Sequence, residues 1–338
     1  MNFRIRAAGA DDVLPLYEMA KRTGGGFTNL PPDRKSLSAK LEKSAAAFAR
    51  TEDVQGDDMF VFVLENADSG EVRGTCQIFS AVGKTWPFYS YRMGSLTQHS
   101  VELGRTFKAD MLTLSTDLEG CSEVGGLFLH PGERAGGLGL LIARSRYLFI
   151  RSHRARFADC TLAELRGVID EGGGSPFWDG IAGRFFGMSF READEFNAVK
   201  GNQFIADLMP KHPIYNAMLS ETARMVIGKP HVSGRAAMRM LENEGFAFDN
   251  YIDIFDGGPT MTAKTDQIRS VRDAQESIIV DVRDGGETKV LGARGRLADF
   301  VAAYAHIDRV AGGIIIDLQG AQLLGVTVGD TITHVDRW

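Results

Sequence analysis

VGGLFLHPGERAGGLGLLIARSRYLFI, residues 124–150, contains the transition on which the fold turns. The apolar run from Gly126 to Leu129 reads as a buried strand, and Pro131 ends strand pairing because it has no N–H to give. A glycine-rich turn follows, with Arg134, Gly137 and Gly139 spaced R-x-x-G-x-G. Leu, Ile and Ala then recur at helical spacing among arginines. A strand, a glycine loop and a helix N-terminus in that order make an anion-binding device. Glycines let backbone N–H groups turn toward a phosphate, and the helix dipole favours negative charge there.

The order and spacing resemble the acyl-CoA-binding motif of the GNAT-type N-acyltransferases, whose loop holds the pyrophosphate of coenzyme A. Other nucleotide loops fit less well. A dinucleotide fold wants G-x-G-x-x-G and an acidic residue about 20 positions on. Here the glycines read G-G-x-G after an arginine. A Walker loop needs Gly-Lys-Ser/Thr, which this loop lacks. The bland alternative is a tight turn with no ligand.

Composition sets the bounds. A chain of 338 residues that is 44% hydrophobic can bury a substantial core, as one large domain with an appendage or as two domains. A net charge of −6 argues against a nucleic-acid groove. The apolar stretches fall short of a membrane span, and MNFRIRAAGADD has no signal core. The expectation is a cytoplasmic protein with no nucleic-acid or membrane partner. Cys76, Cys121 and Cys160 fit no zinc pattern and read as buried thiols, so no metal is expected.

Along the chain, FRIRA (3–7) alternates as a half-buried strand, and Asp11-Asp12 offer N-caps to a helix. KRTGGGFTNLPPD (21–33) reads as a loop, 34–50 as a helix, and 59–66 with 72–82 as a hairpin around Asp68-Ser69-Gly70. Residues 84–120 look irregular, with short strands near 90–97 and 111–115. A strand enters a loop over 156–170, a Ser-Pro helix start falls in 172–190, and 202–227 is helical with a break at Lys211-His212-Pro213. A helix closed by Gly245 and then a strand occupy 233–259. Beyond Pro259 the character changes to short strands at 278–282, 288–294, 312–318 and 330–335, with one helix at 296–305. The fold class expected is α+β. A GNAT-like core over 1–259 has a mixed twisted sheet flanked by helices, and a small β-rich subdomain over 260–338 serves packing or oligomer contact.

KRTGGGFTNLP (21–31), FVLE (62–65), YRMGSL (91–96), ELRGVIDEGGGSPFW (164–178), FIADLMPKHPIY (204–215) and NYIDIFDGGPT (250–260) together resemble the arginine N-succinyltransferase family. The likeness runs from about residue 4 to 272. It implies transfer of a succinyl group from succinyl-CoA to the α-amine of L-arginine, the first step of the arginine succinyltransferase catabolic pathway. It also implies that His231 is the proton donor and that Leu127 belongs to the succinyl-CoA site. Leu129, Arg134, Gly137 and Gly139 complete the expected coenzyme-binding set. The expected partners are the two small substrates and either a second copy or a paralogous subunit. An ornithine-preferring or dual-specificity enzyme, or a non-catalytic acyl-CoA-binding subunit, is the alternative.

The residue chemistry is compatible with these roles. The His231 imidazole titrates near neutrality, and a helix start at Ser233 would hold it neutral. Spacing alone reads it as a loop histidine, with His212 as a second candidate. A guanidinium wants carboxylates, and Glu123, Glu164, Asp170, Glu171, Asp253 and Asp256 are available. The succinyl carboxylate wants a cation such as Arg92, Arg166 or Lys211.

Overall fold

The alternation of FRIRA becomes the strand Phe3–Ala7, with Phe3 and Ile5 buried. The computed structural model describes residues 2–22, 30–134, 136–200, 203–209 and 211–337. Most of the expected glycine loop at 21–33, residues 23–29, lies outside the described residues. Two units emerge from the packing. The first takes residues up to 80, 122–159 and those from 264 onward; the second takes 81–121 and 160–263.

In the first unit, Phe3–Ala7, Met59–Asn66, Val72–Phe79 and Ser122–Leu129 pair in that order, each antiparallel to the last. The expected hairpin turns through Gly70 at φ +72°. Helices Val13–Ala20, Arg34–Ala49 and Leu138–Ser152 belong to this unit. Asp33 caps the second by accepting the Ser36 N–H at 2.7 Å. Asp12 is the residue before the first helix, but its side chain does not make the cap expected of it. It instead accepts from Arg6 at 2.8 Å and from the Gly9 N–H at 2.8 Å. The Phe149 ring, from the third helix, lies 4.8 Å from Phe60 and 5.0 Å from Phe62, so aromatic contacts fasten that helix to the sheet.

The C-terminal strands close on themselves. Thr288–Arg294 pairs with both Thr331–Asp336 and Val301–Val310. Gln275–Val282 and Gly313–Ile316 complete the ring. The result is a small barrel, as the β-rich subdomain predicts. The helix expected over 296–305 is not there. Only Leu297–Asp299 makes a short 3-10 turn, and Val301–Val310 is a strand. Its alanines suggest helix, but the segment is hydrogen-bonded to Thr288–Arg294, Gly313–Ile316 and Phe3–Ala7. Ladder pairing and burial of Ala302, Ala303 and Ile307 override propensity. The strand expected over 312–318 is Gly313–Ile316, and Leu318–Leu324 beyond it is a helix absent from the sequence expectations.

The second unit is built on a long hairpin, Ser90–Ser100 against Arg105–Ser115. It is much longer than the two short strands expected; the outer part, 97–99 against 105–108, is exposed and gives the sequence no alternation to read. Ala247–Asp253, Pro259–Lys264 and Cys160–Glu164 extend the sheet on one side and Ile214–Tyr215 on the other. Its core centres on Trp178, which is fully buried, stacks between Phe186 and Phe255, and donates Nε1–H to the Met188 carbonyl at 2.9 Å. The architecture is the α+β class with mixed sheet that the sequence predicts.

Candidate functional site

The strand before the glycine loop is interrupted. Gln77 pairs with Gly125 and Thr75 with Phe128, so Gly126 and Leu127 together oppose Cys76. This is a β-bulge, and it leaves an extra residue out of the ladder. Gly126 sits at φ +59°, and a Cβ there would lie 2.7 Å from the Gln77 side chain. Both facts require glycine. The pair Gly125-Gly126 therefore has a local physical cause. Arg146, one turn into the buried part of the following helix, donates to the Gly125 carbonyl at 3.3 Å and supports the bulge. Gly126→Ala should destabilise the protein by about 1–2 kcal/mol from the left-handed backbone, with more for displacing Gln77. Urea unfolding measures this; an unchanged midpoint would remove the bulge argument.

Leu127 and Leu129 are both half-buried at the end of this strand. His130 then closes it: its Nδ1 accepts the Gly132 N–H at 3.2 Å and starts the turn Pro131–Glu133. Arg134 follows, exposed, with no side-chain partner among the described residues. Gly136 and Gly137 are left-handed at φ +80° and +85°, and Gly137 is the residue before the helix Leu138–Ser152. No side chain caps that helix start. Leu140 and Leu141 donate their N–H groups to the Gly137 carbonyl at 3.1 and 3.2 Å, and the N–H groups of Leu138 and Gly139 are left for an anion. Gly139 lies within the helix rather than in the loop, with open space where a side chain would be.

The C-terminal barrel touches this loop, a feature the sequence reading did not anticipate. The Tyr304 hydroxyl donates to the Gly137 carbonyl at 3.0 Å. The Arg337 guanidinium lies 5.2 Å over the Tyr304 ring and so close to Gly137 that a Cβ would collide with it. Lys289 stands 4.9 Å over the same ring, its pKa lowered by burial and by Arg337. Two cations thus flank a tyrosine tied to the loop. Only spatial proximity connects Tyr304 to Gly137, 167 positions away, and no local motif reports it.

His231 belongs to the second unit. Its N–H donates to the Arg166 carbonyl at 2.7 Å, within a small bridge joining Gly167 to Pro230. The ring caps a short turn, with Nδ1 2.7 Å from Ser233 Oγ and accepting the Ser233 N–H at 3.3 Å. The expected cap, Ser233, is inside that turn, and His231 itself is the capping residue. Burial and then Arg166 lower the imidazole pKa, so it is neutral at pH 7. Nδ1 and the Ser233 hydroxyl can exchange donor and acceptor roles, which suits both the neutral ring and the imidazolium.

The surrounding loop explains two of the distinctive segments. Asp256 accepts the N–H groups of Gly167 and Gly258, each at 2.8 Å, and Gly258 packs on the Leu165 carbonyl with no room for a side chain. Asp253 accepts the N–H groups of Phe255 and Asp256. Burial, with Asp253 adding to it, pushes Asp256 up to about 8. These two aspartates build the loop that carries Arg166. Glu123 is buried too, raised to about 7 by desolvation and pulled back by Lys40 and Arg146. Asp170 accepts the Gly174 N–H at 2.8 Å and faces Asp179, whose pKa it raises after burial. That exposed carboxylate pair suits a guanidinium better than the buried candidates. Asp179 was not among them. Of the expected cations, Arg92 is paired with Asp117 at 3.5 Å and Lys211 is exposed; His212, the second catalytic candidate, is exposed too. Arg166 faces His231, and its Nε is buried with no hydrogen-bond partner among the described residues. The three cysteines are free thiols; Cys76 and Cys121 are buried as expected, and Cys160 is only half-buried.

Strand, bulge, glycine loop and uncapped helix start stand in the order that an N-acyltransferase's donor site requires. The family described as arginine N-succinyltransferase beta subunit matches residues 3–270, and its C-terminal domain matches 272–336. The chain belongs to the arginine N-succinyltransferase family. It is 40% identical to an arginine N-succinyltransferase of Enterobacter sp. over 98% of this chain and 96% of that protein. It is 44% identical to one of Escherichia coli O139:H28 over the same shares. The structure of arginine/ornithine succinyltransferase subunit AI from Pseudomonas aeruginosa superposes with a TM-score of 0.90 at 32% identity, covering 99% of this chain and 98% of that one.

Proposed function

We propose that this enzyme transfers the succinyl group of succinyl-CoA to the α-amine of L-arginine, releasing N2-succinyl-L-arginine and free CoA. The observation that carries the reading is family membership along nearly the whole chain, joined to a glycine loop with free helix N–H groups. In this reading the N–H groups after Gly137 and the Arg134 guanidinium hold the donor's pyrophosphate, and the bulged backbone at Leu127, with Leu129, receives its acyl arm. His231 takes a proton from the incoming ammonium. The freed amine attacks the thioester carbonyl, the imidazolium returns its proton to the departing thiolate, and the nitrogen of the tetrahedral adduct loses its second proton to water as the amide forms. Arg166 holds the succinyl carboxylate. Asp170 and Asp179 are the carboxylates offered to the guanidinium.

A cation left unpaired by an acetyl group makes the donor choice measurable. Succinyl-CoA should exceed acetyl-CoA in kcat/KM by about ten- to two-hundredfold, the scale of one charge-assisted hydrogen bond, and Arg166→Gln should narrow that ratio. Equal kcat/KM for the two donors overturns the succinyl assignment. Steady-state release of CoA with arginine, ornithine and lysine tests the acceptor. Ornithine is the second acceptor to compare, because the Pseudomonas relative is described as an arginine/ornithine succinyltransferase subunit. Light scattering on the purified chain tests the expected assembly of copies or paralogous subunits.

A further inference from the structure

We propose that the C-terminal barrel carries a binding site for a phosphate dianion, free or as a monoester, in the cavity between its last strand and the arginines Arg144, Arg269 and Arg309. The cavity measures about 350 Å³, and Arg337, His334, Asp273 and Asp336 also line it. Four guanidinium groups thus face two carboxylates, and both carboxylates are engaged. Asp273 is held by Arg272 at 2.7 Å and lies 4.0 Å from Arg269, and Asp336 is held by Arg309 at 2.5 Å. The balance within the cavity is positive, which excludes a cation and favours a doubly charged anion.

Two details show that the site is organised. Arg144 is 1% exposed and clamped, donating to Ser270 Oγ at 2.9 Å and to the Asp336 carbonyl at 3.0 Å. Its orientation is set before any ligand arrives. His334 is likewise 1% exposed, with Nε2 3.0 Å from Ser277 Oγ. Its Nδ1 has no hydrogen-bond partner among the described residues. A buried ring nitrogen left unpaired calls for a partner. Burial, then Arg309, keeps the ring neutral, so with the Ser277 hydroxyl donating to Nε2 the ring offers Nδ1–H to an acceptor. An anion accepts from this nitrogen and offsets the excess positive charge of the cavity. Arg337 lines this cavity and also lies against Gly137, so an occupant has a direct route to the glycine loop.

The test is isothermal titration of the full-length protein with inorganic phosphate at constant ionic strength. It is paired with coenzyme A and 3′-dephospho-coenzyme A titrations. The comparison variant is Arg269→Gln/Arg309→Gln, which changes two groups outside the coenzyme loop. Saturable phosphate binding that the variant weakens tenfold or more, with coenzyme A affinity unchanged, supports a free phosphate ligand. A variant that weakens coenzyme A but not its 3′-dephospho form supports the coenzyme's own monoester as occupant. A thermal melt with phosphate checks that the variant is folded. A folded variant that matches the wild type in all three titrations overturns the proposal. That result leaves the acyltransfer reading intact, since turnover is assayed separately.

Discussion

Replacing His231 by alanine should lower kcat by about 10²–10⁴-fold, the usual scale for losing a general acid–base group. Affinity for succinyl-CoA should change little, because the pyrophosphate contacts proposed here come from the loop at 134–139. The pH profile carries the sharper test. Burial and Arg166 hold the imidazole below its ordinary pKa, so the wild-type base form dominates at neutral pH. Wild-type kcat should stay level through neutrality and fall only as pH drops through that depressed value. The alanine variant should lose this limb. If kcat survives with the same profile, the proton is handled by His212 or a carboxylate. The ring also caps a turn through the Ser233 N–H, so circular dichroism must show that the variant is folded.

Gly137→Asp should abolish measurable coenzyme binding. The residue is left-handed at φ +85°, a conformation that aspartate tolerates better than most side chains. Its Cβ would meet the end of the Arg337 side chain, a flexible group that can swing aside. The fold should therefore survive. The new carboxylate would occupy the helix start, where it takes the N–H groups and the dipole that a phosphate needs and repels the phosphate itself. Titration of coenzyme A into the folded variant measures this. Wild-type affinity would reject the loop as the pyrophosphate site.

Much of the candidate site lies in local sequence. The strand, the glycine turn and the amphipathic helix of 124–150 are each set by residues within a few positions of one another, so periodicity and glycine spacing expose them. The His231 turn is equally local, although the capping group proved to be the histidine rather than Ser233. The bulge is less visible. Gly125-Gly126 is plain in the sequence, but a left-handed residue inside a strand makes sense only once Gln77 is seen packed against it.

The remaining features depend on contacts between distant segments. Val301–Val310 has helix-forming alanines and becomes a strand because Thr288–Arg294, Gly313–Ile316 and Phe3–Ala7 pair with it. The outer part of the Ser90–Ser100 hairpin, 97–99 against 105–108, shows no alternation because it faces water rather than a core. The placing of Tyr304 and Arg337 on Gly137, and the arginine-lined cavity, require the closed barrel. The strand, turn and helix of 124–150, the loop chemistry and the family likeness are legible from sequence, since they follow from neighbouring residues. Only the tertiary structure decided which buried carboxylates build loops, which cations face His231, and that the C-terminal strands reach the glycine loop. Burial and through-space charge depend on the packed environment, which no local pattern encodes.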